Sequence, residues 1–295
     1  MSTGVLYATT GEQQRRYAQQ SAARVRELTD FPIHVITDEF VSEKWPTDTT
    51  FKKIDEPTYS LGDKVAALND YVSDPKCNRT LYLDGDTYIC DETALQELFS
   101  VLDSAALAVC LDVVRGSQFH DHQYAESVNT PAAFPMPNTG VMAFRSTNVA
   151  DLINEWAEIY QEHQRHQQEN EWRVNDQPAF EQALASSNVR WVALPSVYNY
   201  RPNSPNAFYG PVKILHVAAE NLTDLAADSE FDENAGRVTW PVSLGDYRDD
   251  QLRVIHAPVR IQKRWEQFKL AVEVHGILKA TQLTVGHLLK KVFKR

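Results

Sequence analysis

Two aspartates separated by one glycine, Asp84-Gly85-Asp86, follow directly after a mostly apolar run over 79–83. Side chains two positions apart on a strand point to one side, so we expect both carboxylates at the end of a buried strand. The glycine between them permits a turn and the close approach of a ligand. Two hard oxygen ligands at this spacing suit Mg²⁺ or Mn²⁺. The motif therefore predicts a metal site at which a bound ion could bridge diphosphate oxygens.

The segments around this motif alternate between strand and helix patterns. The sequence predicts strands over 4–10, 33–37, 79–83, 105–112, 139–145, 190–194 and 213–217. It predicts helices over 12–28, 62–71, 92–102 and 148–171, and another that begins at 176. This alternation favours a parallel sheet, whose carboxyl ends usually bind ligands. The segment 119–138 contains three prolines and is expected to form a long loop that acts as a lid.

Composition limits the partners and the compartment that can be expected. The 295 residues carry a formal net charge of -11, which argues against nucleic acid as the main partner. The cysteines, Cys77, Cys90 and Cys110, have no C-x-x-C spacing, which argues against a disulfide framework and a structural zinc site. Residues 1–11 have neither a basic start nor a long apolar run, so we expect no signal peptide and a cytoplasmic protein.

The last part of the chain is basic, unlike the rest. Residues 253–295 contain ten lysines and arginines but only two glutamates. The pattern predicts a basic amphipathic helix over 260–295, which can lie on an anionic membrane at its inner face. The alternatives are a helix packed on the acidic body and a dimer contact. Liposome flotation of the full chain and of a chain ending at Val259 distinguishes them, because equal behaviour contradicts membrane contact.

Several motifs resemble those of one enzyme family. The segment over 81–87 is similar to the D-x-D element of GT-A-fold glycosyltransferases. Other similar segments follow in the order found in glycosyltransferase family 8, the glycogenin and galactosyltransferase-like group: 137–142, 175–177 and 213–216. The resemblance spans residues 4–217 and implies a GT-A fold, a Rossmann-like, mostly parallel sheet flanked by helices. After His216 the family often continues with glycine and Lys-Pro-Trp, whereas this chain has Val217-Ala218-Ala219-Glu220-Asn221.

The resemblance also implies a domain organisation. We expect a GT-A catalytic domain over 1–217. An irregular extension over 218–259 is expected to pack on it, and the basic helical tail over 260–295 is expected to follow as a C-terminal helical extension.

The family's residue roles carry over to matching positions in this chain. Asp84, Asp86 and His216 would hold the metal, with Mn²⁺ favoured over Mg²⁺ because an imidazole joins two carboxylates. Six residues would bind the donor: Thr9, Thr10 and Asp38 at the nucleotide, Lys64 at the diphosphate or sugar, and Asn138 and Gly140 beside the sugar. Asp176 and Gln177 would lie against the transferred sugar and the acceptor. Asp176 also has the position of an N-cap for a helix that begins near Pro178.

The expected function is hexosyltransferase-like transfer from a nucleoside-diphosphate sugar, a UDP-sugar, to an acceptor hydroxyl. The acceptor could be a glycan, a protein or a lipid-linked molecule, and the resemblance implies retention of anomeric configuration. One alternative is a phosphatase of the haloacid dehalogenase type, because the segment over 84–87 also resembles its D-x-D-x-[TV] signature, with Asp84 as nucleophile. Another is a non-catalytic module that binds a sugar nucleotide.

Overall fold

The computed structural model describes residues 2–39, 44–112, 134–170, 175–201, 206–208, 211–218, 237–241 and 254–258. Its strands are β1 (Thr3–Thr9), β2 (Ile33–Thr37), β3 (Thr50–Lys53), β4 (Arg79–Leu83), β5 (Thr87–Ile89), β6 (Leu107–Leu111), β7 (Pro137–Arg145), β8 (Trp191–Leu194), β9 (Asn206–Phe208), β10 (Ile214–His216), β11 (Arg237–Pro241) and β12 (Val254–Pro258). Its α-helices are α1 (Glu12–Leu28), α2 (Leu61–Ser73), α3 (Ala94–Val101), α4 (Ala150–Asn170) and α5 (Asp176–Ser186). Short 3-10 helices span Ser146–Asn148 and Ser196–Asn199.

The central sheet has seven strands in the order β3-β2-β1-β4-β7-β6-β8. Neighbouring strands run parallel except at β7, which is antiparallel to both β4 and β6. This arrangement confirms the predicted mostly parallel sheet flanked by helices. Because β1 and β4 are parallel neighbours, Thr10 and Asp84, which directly follow them, both lie at the carboxyl end of the sheet.

The central strands are buried on both faces, as expected for parallel strands covered by helices. On β1, Val5 and Tyr7 belong to a core cluster that includes Ala22 of α1. Leu6, between them, belongs to a second cluster on the opposite face that includes Trp156 of α4. This double-sided burial fixes the carboxyl end of the sheet as a rigid support for the side chains that follow the strands.

The helix starts are set by capping side chains. Ser60 accepts a hydrogen bond from the Gly62 N–H at the start of α2. At α5, Asn175 accepts from the Gln177 N–H at 3.1 Å. The N-cap is therefore Asn175, and the prediction that Asp176 caps this helix is wrong by one residue. Asp176 is the first helical residue, which leaves its carboxylate available for contacts inside the protein.

Two smaller sheets complete the described part of the chain. Strand β5 pairs antiparallel with β10, which places His216 opposite Thr87. Strand β11 pairs with β9 and β12, so the segment predicted to be irregular, 218–259, contains two strands. Among the described residues, no helix combines the length and apolar character needed to cross a membrane.

Some predictions concern residues outside the described part. The basic tail over 260–295 lies wholly outside it, as does the predicted lid up to residue 133. At the other end of that loop, Pro137 already belongs to β7, so the strand begins two residues before the predicted start. The predicted domain boundaries, the lid and the tail therefore stay predictions.

Candidate active site

Asp84, Asp86 and His216 converge at the carboxyl end of β4. One potential ligand atom from each residue lies within 4.8 Å of the others. His216 Nε2 is 3.3 Å from Asp86 Oδ1 and 3.8 Å from Asp84 Oδ2. The pairing of β10 with β5 creates this arrangement, because β5 begins directly after Asp86. Two carboxylates and one imidazole could hold a divalent metal ion.

Gly140 provides the space in which these side chains meet. A Cβ atom at this position would lie 2.3 Å from His216 Cε1 and 3.0 Å from Asp84 Oδ2. The Gly140 carbonyl also accepts a hydrogen bond from the Asp84 N–H at 2.8 Å. The absence of a side chain at this residue of β7 is thus what permits Asp84 and His216 to approach each other. The residues present fit a divalent metal ion.

The three side chains line a cavity of about 390 Å³. The predicted site residues on its wall are Thr9, Thr10, Lys64, Asp84, Asp86 and His216. The Thr9 hydroxyl is buried and has no hydrogen-bond partner among the described residues. An unpaired buried hydroxyl on a cavity wall is suited to receive a polar ligand atom.

Lys64 is a buried cation between two carboxylates. Its Nζ lies 3.0 Å from Asp84 Oδ1 and 3.1 Å from Asp176 Oδ2, and it donates to Thr139 Oγ1 at 3.0 Å. Burial alone would lower the pKa of Lys64, but the charges of Asp176 and Asp84 outweigh it and raise the pKa above its ordinary value. The lysine therefore stays protonated and partly neutralises the acidic wall.

Asp176 lies behind Asp84, on the far side of Lys64. It is 4% exposed, and its Oδ2 accepts a hydrogen bond from Thr139 Oγ1 at 2.6 Å. Of the described residues, neither Asp176 nor Gln177 lines the cavity. Their contact with the transferred sugar and the acceptor stays a prediction, whereas the position of Asp176 as a partner of Lys64 is an observation.

Asp38 directly follows β2, and its side chain contacts the start of α1. It accepts hydrogen bonds from the Gly11 N–H at 3.2 Å and from the Arg15 guanidinium at 2.5 Å. Burial pushes the pKa of Asp38 up, but these hydrogen bonds and the Arg15 charge together hold it below its ordinary value. Asp38 therefore fixes the turn after Thr10, and its contact with a nucleotide stays a prediction.

Asp63 and Tyr59 are site residues that the sequence analysis did not identify. Asp63 accepts hydrogen bonds from Thr10 Oγ1, from the Tyr59 N–H and from the Thr58 N–H, each at 2.8 Å. Burial pushes the pKa of Asp63 up, but its hydrogen bonds together lower it below its ordinary value. The spacing of Ser60 and Asp63 indicates a helix start, but no local pattern indicates the contact with Thr10.

Tyr59 and Tyr82 add two aromatic rings to the cavity wall. Tyr59 has a φ of 53°, in the left-handed region, and its side chain is 66% exposed. Tyr82 is buried and donates a hydrogen bond to Asp84 Oδ1 at 2.6 Å. Burial and the Asp84 charge raise the pKa of Tyr82 well above its ordinary value, so its hydroxyl remains a donor.

Comparison with known proteins identifies the class of enzyme to which this fold and this site belong. Residues 65–218, more than half of the chain, match the profile of glycosyl transferase family 8, so this chain belongs to that family and is a glycosyltransferase. No curated protein matches the sequence. The match begins after Thr9, Thr10, Asp38 and Lys64 and includes the other predicted site residues. It favours glycosyl transfer over the phosphatase alternative.

The solved structures with a similar fold include the following two. The first is the galactosyltransferase LgtC in complex with donor and acceptor sugar analogues, with a TM-score of 0.55 and 15% identity over 77% of this chain and 92% of that chain. The second is mouse xyloside xylosyltransferase 1, with a TM-score of 0.50 and 16% identity over 74% of this chain and 98% of that chain. At these identities the similarity supports the fold, and it confirms the predicted GT-A class.

Proposed function

We propose that this protein transfers a sugar from a UDP-sugar to the hydroxyl of a glycan, a protein or a lipid-linked acceptor, in a metal-dependent reaction. The observation that carries the proposal is the convergence of His216 with Asp84 and Asp86, from which it is distant in sequence. They meet on the wall of a cavity that Thr10 and Lys64 also line. Family membership supplies the reaction class, and this cluster supplies the reason to expect a metal.

The charge of the cavity wall supports the need for a cation. Asp63, Asp84 and Asp86 line the cavity, and Lys64 is already paired with Asp84 and Asp176. A diphosphate that approached this wall alone would be repelled by the carboxylates. A divalent cation held by Asp84, Asp86 and His216 would supply the positive charge that stabilises the departing diphosphate.

In the proposed reaction, the acceptor oxygen forms a bond to the anomeric carbon of the donor sugar. The bond from that carbon to the diphosphate oxygen breaks, the nucleoside diphosphate leaves, and the proton of the acceptor hydroxyl passes to the departing diphosphate or to water. Lys64 and Tyr82 hold the Asp84 carboxylate in place by direct contacts at 3.0 and 2.6 Å. Following the family resemblance we propose retention at the anomeric carbon, and an anomer-resolved NMR spectrum that shows inversion would contradict it.

The first test is a thermal-shift measurement with UDP and Mn²⁺, each alone and together, and with EDTA. A ligand at about 100 times its Kd stabilises the native state by about 2.7 kcal/mol. For a chain of this size that corresponds to a rise in Tm of roughly 4 °C. We expect UDP to produce this rise only when Mn²⁺ is also present, because the acidic wall requires a cation.

Variants of two aspartates make this test specific. Asp86→Asn is expected to lose the stabilisation by UDP and Mn²⁺. Asp70→Asn, which changes a carboxylate paired with Lys52 on the surface, is expected to keep it. Stabilisation by UDP that persists in EDTA would contradict the role of the metal, and stabilisation by another nucleotide alone would replace UDP in the proposal.

Tyr59 provides a further prediction, because an exposed ring on the cavity wall can stack on the nucleobase. Stacking of a base on an aromatic side chain is worth about 1–3 kcal/mol by alanine substitution. We therefore expect Tyr59→Ala to raise the Kd for UDP about tenfold in the presence of Mn²⁺, whereas Tyr59→Phe keeps it. Both variants place a non-glycine residue at the same left-handed position, so the comparison tests the ring. Equal Kd values for the alanine variant and the wild type would exclude stacking on Tyr59.

A further inference from the structure

Buried side-chain hydrogen bonds connect the backbone of Gly140 with the imidazole of His216. Asn138 Oδ1 accepts from the Gly140 N–H at 3.0 Å, and Asn199 Nδ2 donates to the same oxygen at 2.7 Å. Asn199 Oδ1 lies 2.7 Å from His216 Nδ1. Asn138 and Asn199 are only 3% and 5% exposed, so little water competes for these bonds.

The Gly140 N–H determines the direction of every hydrogen bond in this series. A backbone N–H can only donate, so the Asn138 atom that faces Gly140 must be the amide oxygen. An amide oxygen can only accept, so Asn199 must turn its nitrogen towards Asn138 and its own oxygen towards His216. Asp112 agrees with this assignment, because its carboxylate accepts from Asn138 Nδ2 at 3.5 Å. The ring nitrogen that meets the Asn199 oxygen must therefore carry a proton.

We infer that Asn199 is a positioning residue that holds His216 in the tautomer protonated on Nδ1, with the lone pair of Nε2 directed at the site between Asp84 and Asp86. A neutral imidazole binds a metal ion through its unprotonated nitrogen, and the hydrogen bond of the other nitrogen decides which one that is. The inference deepens the proposed metal site and rests on it for the role of His216 as a ligand.

The backbone keeps Asn199 at the required distance from His216. The Tyr200 N–H donates to the Ile214 carbonyl, and the His216 N–H donates to the Tyr200 carbonyl, both at 2.8 Å. These bonds fix the end of the 3-10 helix Ser196–Asn199 against β10. The contact between Asn199 and His216 is therefore built into the pairing of these two segments, independently of any bound ion.

The test measures the Mn²⁺ Kd by isothermal titration calorimetry and the His216 tautomer by NMR. Loss of a side chain that orients a metal-binding histidine typically weakens metal affinity about 10–100-fold. We expect Asn199→Leu to raise the Mn²⁺ Kd within this range. Asn199→Asp keeps an oxygen for the Nδ1 proton, so its Kd should lie closer to that of the wild type. Tyr198→Phe is the matched control, because it alters the same 3-10 helix at the contact with Glu97 and leaves His216 untouched.

The tautomer is read from the metal-free protein labelled with ¹⁵N-histidine, under conditions in which the spectrum shows one protonated and one unprotonated ring nitrogen. The His216 signal is assigned by its disappearance in His216→Gln. We expect the proton on Nδ1 in the wild type and in Asn199→Asp, and a shift towards the other tautomer in Asn199→Leu. A wild-type proton on Nε2, or an Asn199→Leu variant with unchanged tautomer and Mn²⁺ Kd, overturns the inference. A wild type that binds no Mn²⁺ overturns the proposed metal site, and the tautomer then decides the role of Asn199 alone.

Discussion

Replacement of Gly140 by alanine is expected to abolish Mn²⁺ binding and to lower kcat/KM by about 100-fold or more, since a displacement of about 1 Å in an active site can cost that much. The added Cβ would lie 2.3 Å from His216 Cε1 and 3.0 Å from Asp84 Oδ2, so at least one proposed ligand must move. The overpacking itself should cost about 1–3 kcal/mol of unfolding free energy. Calorimetric titration measures Mn²⁺ binding, and donor turnover measures kcat/KM.

Gly4→Ala is the matched control for this prediction. A Cβ atom at Gly4 would lie 2.6 Å from Cys77 Sγ and 3.1 Å from the Pro32 carbonyl, so the steric conflict is similar in kind. Gly4 lies near the start of β1, at the opposite end of the strand from the cavity. We expect this variant to lose comparable stability and to keep the wild-type Mn²⁺ Kd. An unchanged Mn²⁺ Kd in Gly140→Ala would show that His216 and Asp84 do not hold the ion together.

The sequence predicted most of the sheet because its strands and helices have strong local patterns. Helix α1 and strands β2 and β4 have the predicted bounds. Each of them is a continuous helix-forming or apolar segment that lies between turn signals. The short strands β3 and β5 were missed. Strand β5 has only three residues directly after Asp86, and its pairing with β10 depends on a segment much later in the chain.

The limits of sequence analysis are clearest within the site. The D-x-D motif and the late histidine could be recognised because their residue types and order resemble a family. Asn199 has no such signal, because its significance depends on Tyr200 lying beside Leu215 in the fold. The same holds for Asp63, whose bond to Thr10 joins the first turn of α2 to the segment that follows β1. Contacts of this kind depend on tertiary structure, and no local spacing predicts them.

Lys64→Met is expected to destabilise the metal-free protein by about 3–5 kcal/mol, the usual cost when one partner of a buried ion pair is removed. The Lys64 and Asp176 side chains are 8% and 5% exposed, so solvent screens their interaction little. Methionine has a similar length but no charge, which leaves Asp176 buried without its cation. Urea unfolding with EDTA present measures the change in unfolding free energy.

Two further variants show whether the loss comes from the unpaired carboxylate. Lys52→Met removes a lysine from an exposed pair with Asp70, which should cost no more than about 1 kcal/mol. The double variant Lys64→Met/Asp176→Leu also removes the buried carboxylate that Lys64→Met leaves unpaired. We expect it to recover part of the stability lost in Lys64→Met. If the double variant is less stable than Lys64→Met, Asp176 stabilises the fold mainly through Thr139 rather than through the lysine. Recovery would instead show that the stability lost in Lys64→Met comes from the Asp176 carboxylate left buried without its cation.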